Sequence, residues 1–161
     1  MELNNLSNLY NDILIEHYQR PFNKKILENY NFEQEGINPF CGDELHLFLK
    51  IDNNNNNKIK ELSFEGKGCS VSIASASIMS YIISILKEYS LNDIKKIIDK
   101  IIEYIKGEIN YEDIFKDDLN HLKNEFQDLL ALKDINKIPV RLKCALLSWI
   151  TLKEFLNNYN S

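Results

Sequence analysis

The chain has 161 residues, 44% apolar and 27% charged, with 19 Lys and Arg against 24 Asp and Glu for a formal net charge of −5. One domain spanning residues 1–161 is expected, since domains run to roughly 100–150 residues, and a chain of this size folds without needing a disulfide or a metal. No run of Lys or Arg exceeds two residues and no apolar stretch is long enough for a membrane span, so nucleic-acid and membrane roles are disfavoured.

The opening MELNNLSNLYNDILIEHYQRP lacks a basic n-region and a cleavage pattern, which argues against a secretory signal and for a cytoplasmic location. The spacing of Leu6, Leu9, Ile13, Ile15 and Tyr18 predicts a helix over 6–20, ended by Pro21. Residues 21–40 show no period and read as a surface loop. Alternation at Leu45, Leu47 and Leu49 predicts a strand over 43–51, and a less clean alternation at Ile59 and Phe64 a second over 58–66. Five asparagines, Asn53 to Asn57, supply the turn between them. A helix is predicted over 70–88, its first half made of small residues that let it lie close to another backbone. Ser90 and Asp93 form a capping pattern for a helix running to about Ile105 and stopping at Gly107. Further helices are predicted over 118–132 and, after Pro139, over about 140–158. The fold class is therefore α+β, a small antiparallel sheet with helices packed on one side.

Three cysteines are an odd number and no disulfide framework; in a reducing compartment they suit metal binding or reactive thiols. Cys41 sits in NPFCGD, two residues from Asp43, so on an extended segment both side chains share a face. Cys69 follows Gly66-Lys67-Gly68 at the start of a helix, where the macrodipole favours a thiolate. Cys144 lies in the first turns of the last helix, three residues after Arg141, whose charge also favours a thiolate or is reserved for a partner's carboxylate. Together Cys41, Asp43, Cys69 and Cys144 would suit a tetrahedral zinc site. The alternative is three unrelated buried cysteines, and without a CxxC pair spacing does not decide between them. His17, His46 and His121 lie more than four residues from any cysteine and read as structural or surface residues, His46 facing solvent. No Ser-His-Asp order and no phosphate-binding loop stand out.

NPFCGDE, FEGKGCSVSIASASIMS and PVRLKCALLSW together resemble the U-type iron–sulfur assembly proteins, the IscU/NifU N-terminal/SufU family, over nearly the whole chain. Two features bring it nearer the SufU type: Lys143 stands where scaffold-type members carry a histidine, and the segment around 108–125 looks like the SufU insertion between the second and third cysteines. The resemblance implies a SufU/IscU-like fold and a zinc site of Cys41, Asp43, Cys69 and Cys144. It implies sulfur transfer from a SufS-type, pyridoxal-phosphate-dependent cysteine desulfurase onto Cys41, with a desulfurase histidine taking the place of Cys41 on zinc. Arg141 and Lys67 are expected to guide docking, and a downstream scaffold or apo-proteins to receive the product. A scaffold for a transient [2Fe–2S] cluster, with iron in place of zinc, is the alternative, because thiolates serve both metals. A zinc-stabilised interaction module with no part in transfer is a third reading.

Overall fold

The computed structural model describes residues 2–54 and 56–159. Helix α1 (Glu2–Gln19) leads into strands β1 (Phe32–Asn38), β2 (Asp43–Asp52) and β3 (Lys58–Lys67), then helices α2 (Ser70–Ile85), α3 (Leu91–Ile105) and, after four short 3-10 turns, α4 (Pro139–Asn158). The sheet is antiparallel in the order β1-β2-β3. Helices α2 and α4 pack against each other; α2 also rests on β3, and α4 on β1 and β2. The α+β expectation holds, with a third strand. Among the described residues no helix is long and apolar enough to cross a membrane.

β1 corrects the expected loop over 21–40. Its apolar pattern is inverted: Gln34, Gly36 and Asn38 turn toward the helices, while Ile37 faces outward and is 63% exposed. An edge strand held by ladder hydrogen bonds needs little hydrophobic alternation to form. The blurred alternation of β3 has a similar cause. A bulge pairs Lys50 with Glu61 but Ile51 with Ile59, so Lys60 is the extra residue and parity shifts by one. Ile59 on one side of the bulge and Leu62 and Phe64 on the other are all buried. The outer face of the sheet is partly covered: Phe48 stacks on His46 at 4.4 Å and meets the tilted ring of Tyr30 at 4.9 Å.

The helix expected over 118–132 is absent. Asp117 and Asp118 both have left-handed φ, and 3-10 turns follow at Asn120–Leu122 and Gln127–Leu132. Their bonds span three residues, as from Leu129 N–H to Phe126 C=O at 2.9 Å. Leu122, Phe126 and Leu129 are buried all the same. Apolar residues three and four apart share a face in either kind of helix, so the pattern found the core but not the backbone. Of the capping box expected at Ser90 and Asp93 the N-cap half forms, with the Asp93 N–H donating to Ser90 Oγ at 3.1 Å.

The small residues of α2 do what the sequence suggested. Ser75 Oγ donates to the Ala145 carbonyl of α4 at 2.6 Å and accepts the Trp149 indole N–H at 2.8 Å, all buried. This fixes α4 along its length against α2, and with it the position of Cys144.

Candidate metal centre

Three chain segments meet at the end of the sheet where β1 passes into β2. Residues 39–42 connect those strands. The Gly42 N–H bonds the Asn38 carbonyl at 2.9 Å, and the Phe40 N–H bonds Asn38 Oδ1 at 3.1 Å. Gly42 takes φ +71°, which closes the turn and puts Cys41 at its exposed corner. Cys41 and Asp43 are thus brought together by a turn, not along an extended face. The Cys41 thiol donates to Asp43 Oδ2 at 3.0 Å, and its sulfur lies 3.4 Å from that of Cys144, which is buried in the second turn of α4. Ligand atoms of Cys41, Asp43 and Cys144 all lie within 4.8 Å of one another. Cys69, the exposed N-cap of α2, stands at the edge of this group with Sγ 3.9 Å from Asp43 Oδ2. The reading of three unrelated buried cysteines is set aside: two are exposed, and all three sulfurs converge on one carboxylate.

Asp43 is the centre of the arrangement, only 2% exposed. Its Oδ1 accepts the Cys69 N–H at 3.0 Å, and its Oδ2 accepts the Ser72 hydroxyl. The first turn of α2 has no acidic residue of its own, so a carboxylate from β2 occupies the positive end of the helix. Gly68 makes the approach possible, since a Cβ there would stand 2.7 Å from Asp43 Oδ1. Burial works against ionisation of Asp43, but hydrogen bonds from Ser72, Cys41, Cys144 and the Cys69 N–H outweigh it and hold the carboxyl below its ordinary range. Burial pushes the Cys144 thiol up, and hydrogen bonding with Cys41, Cys69 and Asp43 adds to this.

The donors around Asp43 among the described residues are thiols, a hydroxyl and an N–H, with no cationic side chain. A buried carboxylate ringed by three thiols and lacking a cation fits a divalent metal with a preference for sulfur.

Lys143 and Phe40 belong to the rim and were missed as a pair by sequence reasoning. Lys143 Nζ stands 3.5 Å from the centre of the Phe40 ring, joining the Cys41 turn to α4. Arg141 is exposed on α4, and Lys67 is exposed at the end of β3, 3.9 Å from Glu44. The histidines lie elsewhere. His46 is half-buried against Phe48, with Glu33 at 3.5 Å and Glu35 at 3.7 Å, rather than simply facing solvent. His121 Nε2 and the Tyr89 hydroxyl are 2.9 Å apart.

His17 does stand in a Ser-His-Asp line that the sequence order concealed. Its Nδ1 is 2.7 Å from Ser77 Oγ and its Nε2 2.8 Å from Asp128 Oδ2. Ser77 is fully buried and already accepts the Phe22 N–H. A walled-in oxygen cannot reach a substrate, so the line acts as a clamp holding α1 to α2 and to the turn at Gln127–Leu132.

The family model for the NifU-like N terminal domain matches residues 9–161. A Bacillus subtilis (strain 168) protein named zinc-dependent sulfurtransferase SufU is 33% identical over 150 residues, covering 93% of this chain and 90% of that protein. A Streptococcus pyogenes serotype M1 protein named iron–sulfur cluster assembly scaffold protein IscU is 32% identical over 155 residues, covering 96% and 86%. A crystal structure from Fervidobacterium islandicum AW-1, described as a SUF-system scaffold protein for iron–sulfur cluster assembly, superposes with a TM-score of 0.72 at 25% identity, covering 90% of this chain and 94% of the other. With the fold, the three cysteine motifs and the matched span in agreement, the chain belongs to the NifU-like N-terminal domain family.

Proposed function

We propose that this protein serves iron–sulfur cluster assembly as a zinc-dependent sulfurtransferase, one domain whose Cys41 accepts persulfide sulfur from a SufS-type cysteine desulfurase. The observation that carries the reading is the division within the cluster. Cys41 is exposed at the corner of a turn, while Asp43 and Cys144 behind it are buried, and Cys69, though also exposed, is tied as the N-cap of α2 by its N–H to Asp43 Oδ1. Cys41, Asp43, Cys69 and Cys144 would hold zinc. When bound, zinc keeps thiols ionised at neutral pH and shielded from stray oxidants.

The remaining chemistry belongs to the chain and its donor. The Cys41 thiolate attacks the outer sulfur of the donor's persulfide; a new S–S bond forms on Cys41 as the donor's S–S bond breaks and its cysteine leaves as thiolate. Attack needs a thiolate that can approach a second protein, and the Asn38–Gly42 turn gives Cys41 that reach. Phe40, with its ring under Lys143, sets the resting position of the turn. Arg141 and Lys143 on the first turns of α4, beside Cys144, and Lys67, two residues before Cys69, would be the charges that steer a donor with an acidic border.

A scaffold reading is favoured by the likeness to the Streptococcus pyogenes protein, and would put a [2Fe–2S] cargo on the same side chains. The test is alanine release by the desulfurase from cysteine, with and without the zinc-loaded protein. Stimulation that disappears with Cys41→Ala supports transfer. Its absence with wild type, together with anaerobic assembly of a cluster on the chain, would replace the transfer reading with the scaffold.

A further inference from the structure

The buried serines of α2 are Ser72, Ser75, Ser77 and Ser80. Three of them are occupied with the fold: Ser75 with α4, Ser77 with His17 and Phe22, and Ser80 with the Ala76 carbonyl of its own helix. Ser72 differs. It lies one turn after Cys69, is 1% exposed, and gives its hydroxyl proton to Asp43 Oδ2, with its oxygen 3.6 Å from the Cys69 sulfur. The same Oδ2 is the atom that Cys41 approaches at 3.0 Å.

We propose that Ser72 is a positioning residue for sulfur transfer: its hydroxyl anchors the Asp43 carboxylate so that Asp43 keeps its place when Cys41 swings out to take sulfur. The proposal rests on the zinc sulfurtransferase reading and adds a residue that the donor set does not contain. The physical reason is the cost of leaving a buried carboxylate oxygen without a donor. Oδ1 is secured by the Cys69 N–H. Oδ2 faces Cys41 at 3.0 Å, the Ser72 hydroxyl and, farther off, the Cys69 sulfur at 3.9 Å, so departure of Cys41 leaves Ser72 as its hydroxyl donor beside more distant thiols. Without that hydroxyl the carboxylate keeps its Oδ1 bond to the Cys69 N–H but can turn about it, and the group meant to stay behind is held less firmly.

The test is a double-mutant cycle on the full chain, read by zinc competition against a chromophoric chelator. Ser72→Ala is expected to weaken zinc binding about 10–100-fold, the usual range for a group that orients a metal ligand. In an Asp43→Ala background the same substitution is expected to change affinity less than about twofold, because Ser72 acts through Asp43. Ser72→Thr, which keeps the hydroxyl, should recover most of the affinity. In alanine release, Ser72→Ala should lower the maximal stimulation while the protein concentration giving half of it stays unchanged. Wild-type zinc affinity in Ser72→Ala, or the same loss with and without the Asp43 carboxylate, would overturn the proposal and leave the transfer reading standing. A wild-type chain that takes up no zinc would overturn both.

Discussion

Replacing Gly68 by Ala tests whether the space above Asp43 governs the candidate metal centre. The new Cβ would stand 2.7 Å from Asp43 Oδ1 and 2.9 Å from its Cγ, where ordinary contact begins at 3.4 Å. The carboxylate therefore has to give way by about 0.7 Å to reach ordinary contact distances. It is held by the Cys69 N–H at 3.0 Å and by Ser72, and a shift of that size takes the first bond out of range. A hydrogen bond to a charged group is worth about 1.5–3 kcal/mol, or roughly 10–150-fold in an equilibrium constant. Gly68→Ala should accordingly weaken zinc binding ~10–100-fold. The loop lies outside the sheet ladder, and φ at Gly68 is not in the left-handed region, so the thermal midpoint of the metal-free protein should fall by only a few degrees. Chelator competition and circular dichroism on the same sample give both numbers. A folded Gly68→Ala protein with wild-type zinc affinity would refute the argument that this glycine is there for Asp43.

Other substitutions probe the frame. A Cβ at Gly36 would strike the Thr151 side chain where β1 crosses α4, so Gly36→Ala should cost about 1–3 kcal/mol in urea unfolding; adding Thr151→Ala should return part of that loss. His17→Ala breaks the clamp to Ser77 and Asp128 and should cost about 1–2 kcal/mol, allowing for the partial exposure of Asp128; amide exchange should rise in α1 before it rises in α4. The carboxyl of Asp43 sits below its ordinary value of 3.8, so its contribution to the metal-free fold is fully present above that value and is lost as pH falls through the lower, folded value. Acid unfolding followed by circular dichroism should show this loss in wild type and not in Asp43→Asn. Because burial holds the proton on Cys144, zinc bound there as proposed would have to expel it. Affinity should therefore rise with pH, about tenfold per unit for each proton released.

Much of the site was legible because its chemistry is local. NPFCGD needs a turn before a strand, GKGCS needs a loop before a helix, and PVRLKC places a cysteine in the second turn of a helix. The last two formed as the sequence suggested, whereas Cys41 and Asp43 meet through a turn at Gly42 and not along the extended face that their spacing implied. What it could not give was the meeting of the three, which depends on contacts far apart in the chain, such as Ser75 to Ala145 and Trp149. Ser72 was hidden for a related reason. In a run of alternating small residues, a serine that packs and a serine that holds a carboxylate look the same. The errors of fold have physical causes too. β1 turns half-buried Gln34 and Gly36 and buried Asn38 inward and exposes Ile37, against the hydrophobic rule. The stretch after Asp118 puts its leucines inward through 3-10 turns, which a 3.6-residue period imitates.

The candidate metal centre divides into a fixed half and a movable half, and the division follows from how each candidate ligand is attached. Cys144 rides on α4, which is tied to α2 by buried hydrogen bonds through Ser75, and Asp43 begins a central strand and is held by Cys69 and Ser72. Moving either would disturb the core. Apart from the Cys41 thiol's own contacts with Asp43 and Cys144, the ties of the four-residue turn that carries it are two bonds to Asn38 and the contact of Phe40 with Lys143. A cation over an exposed aromatic ring is worth about 0.5–1 kcal/mol, so the turn can open at small cost while the other ligands keep their places. A metal centre meant only to hold the fold together would have no reason to hang one thiol on the weakest attachment available. That asymmetry is what a thiol needs if it must leave its neighbours, take sulfur from a second protein and return.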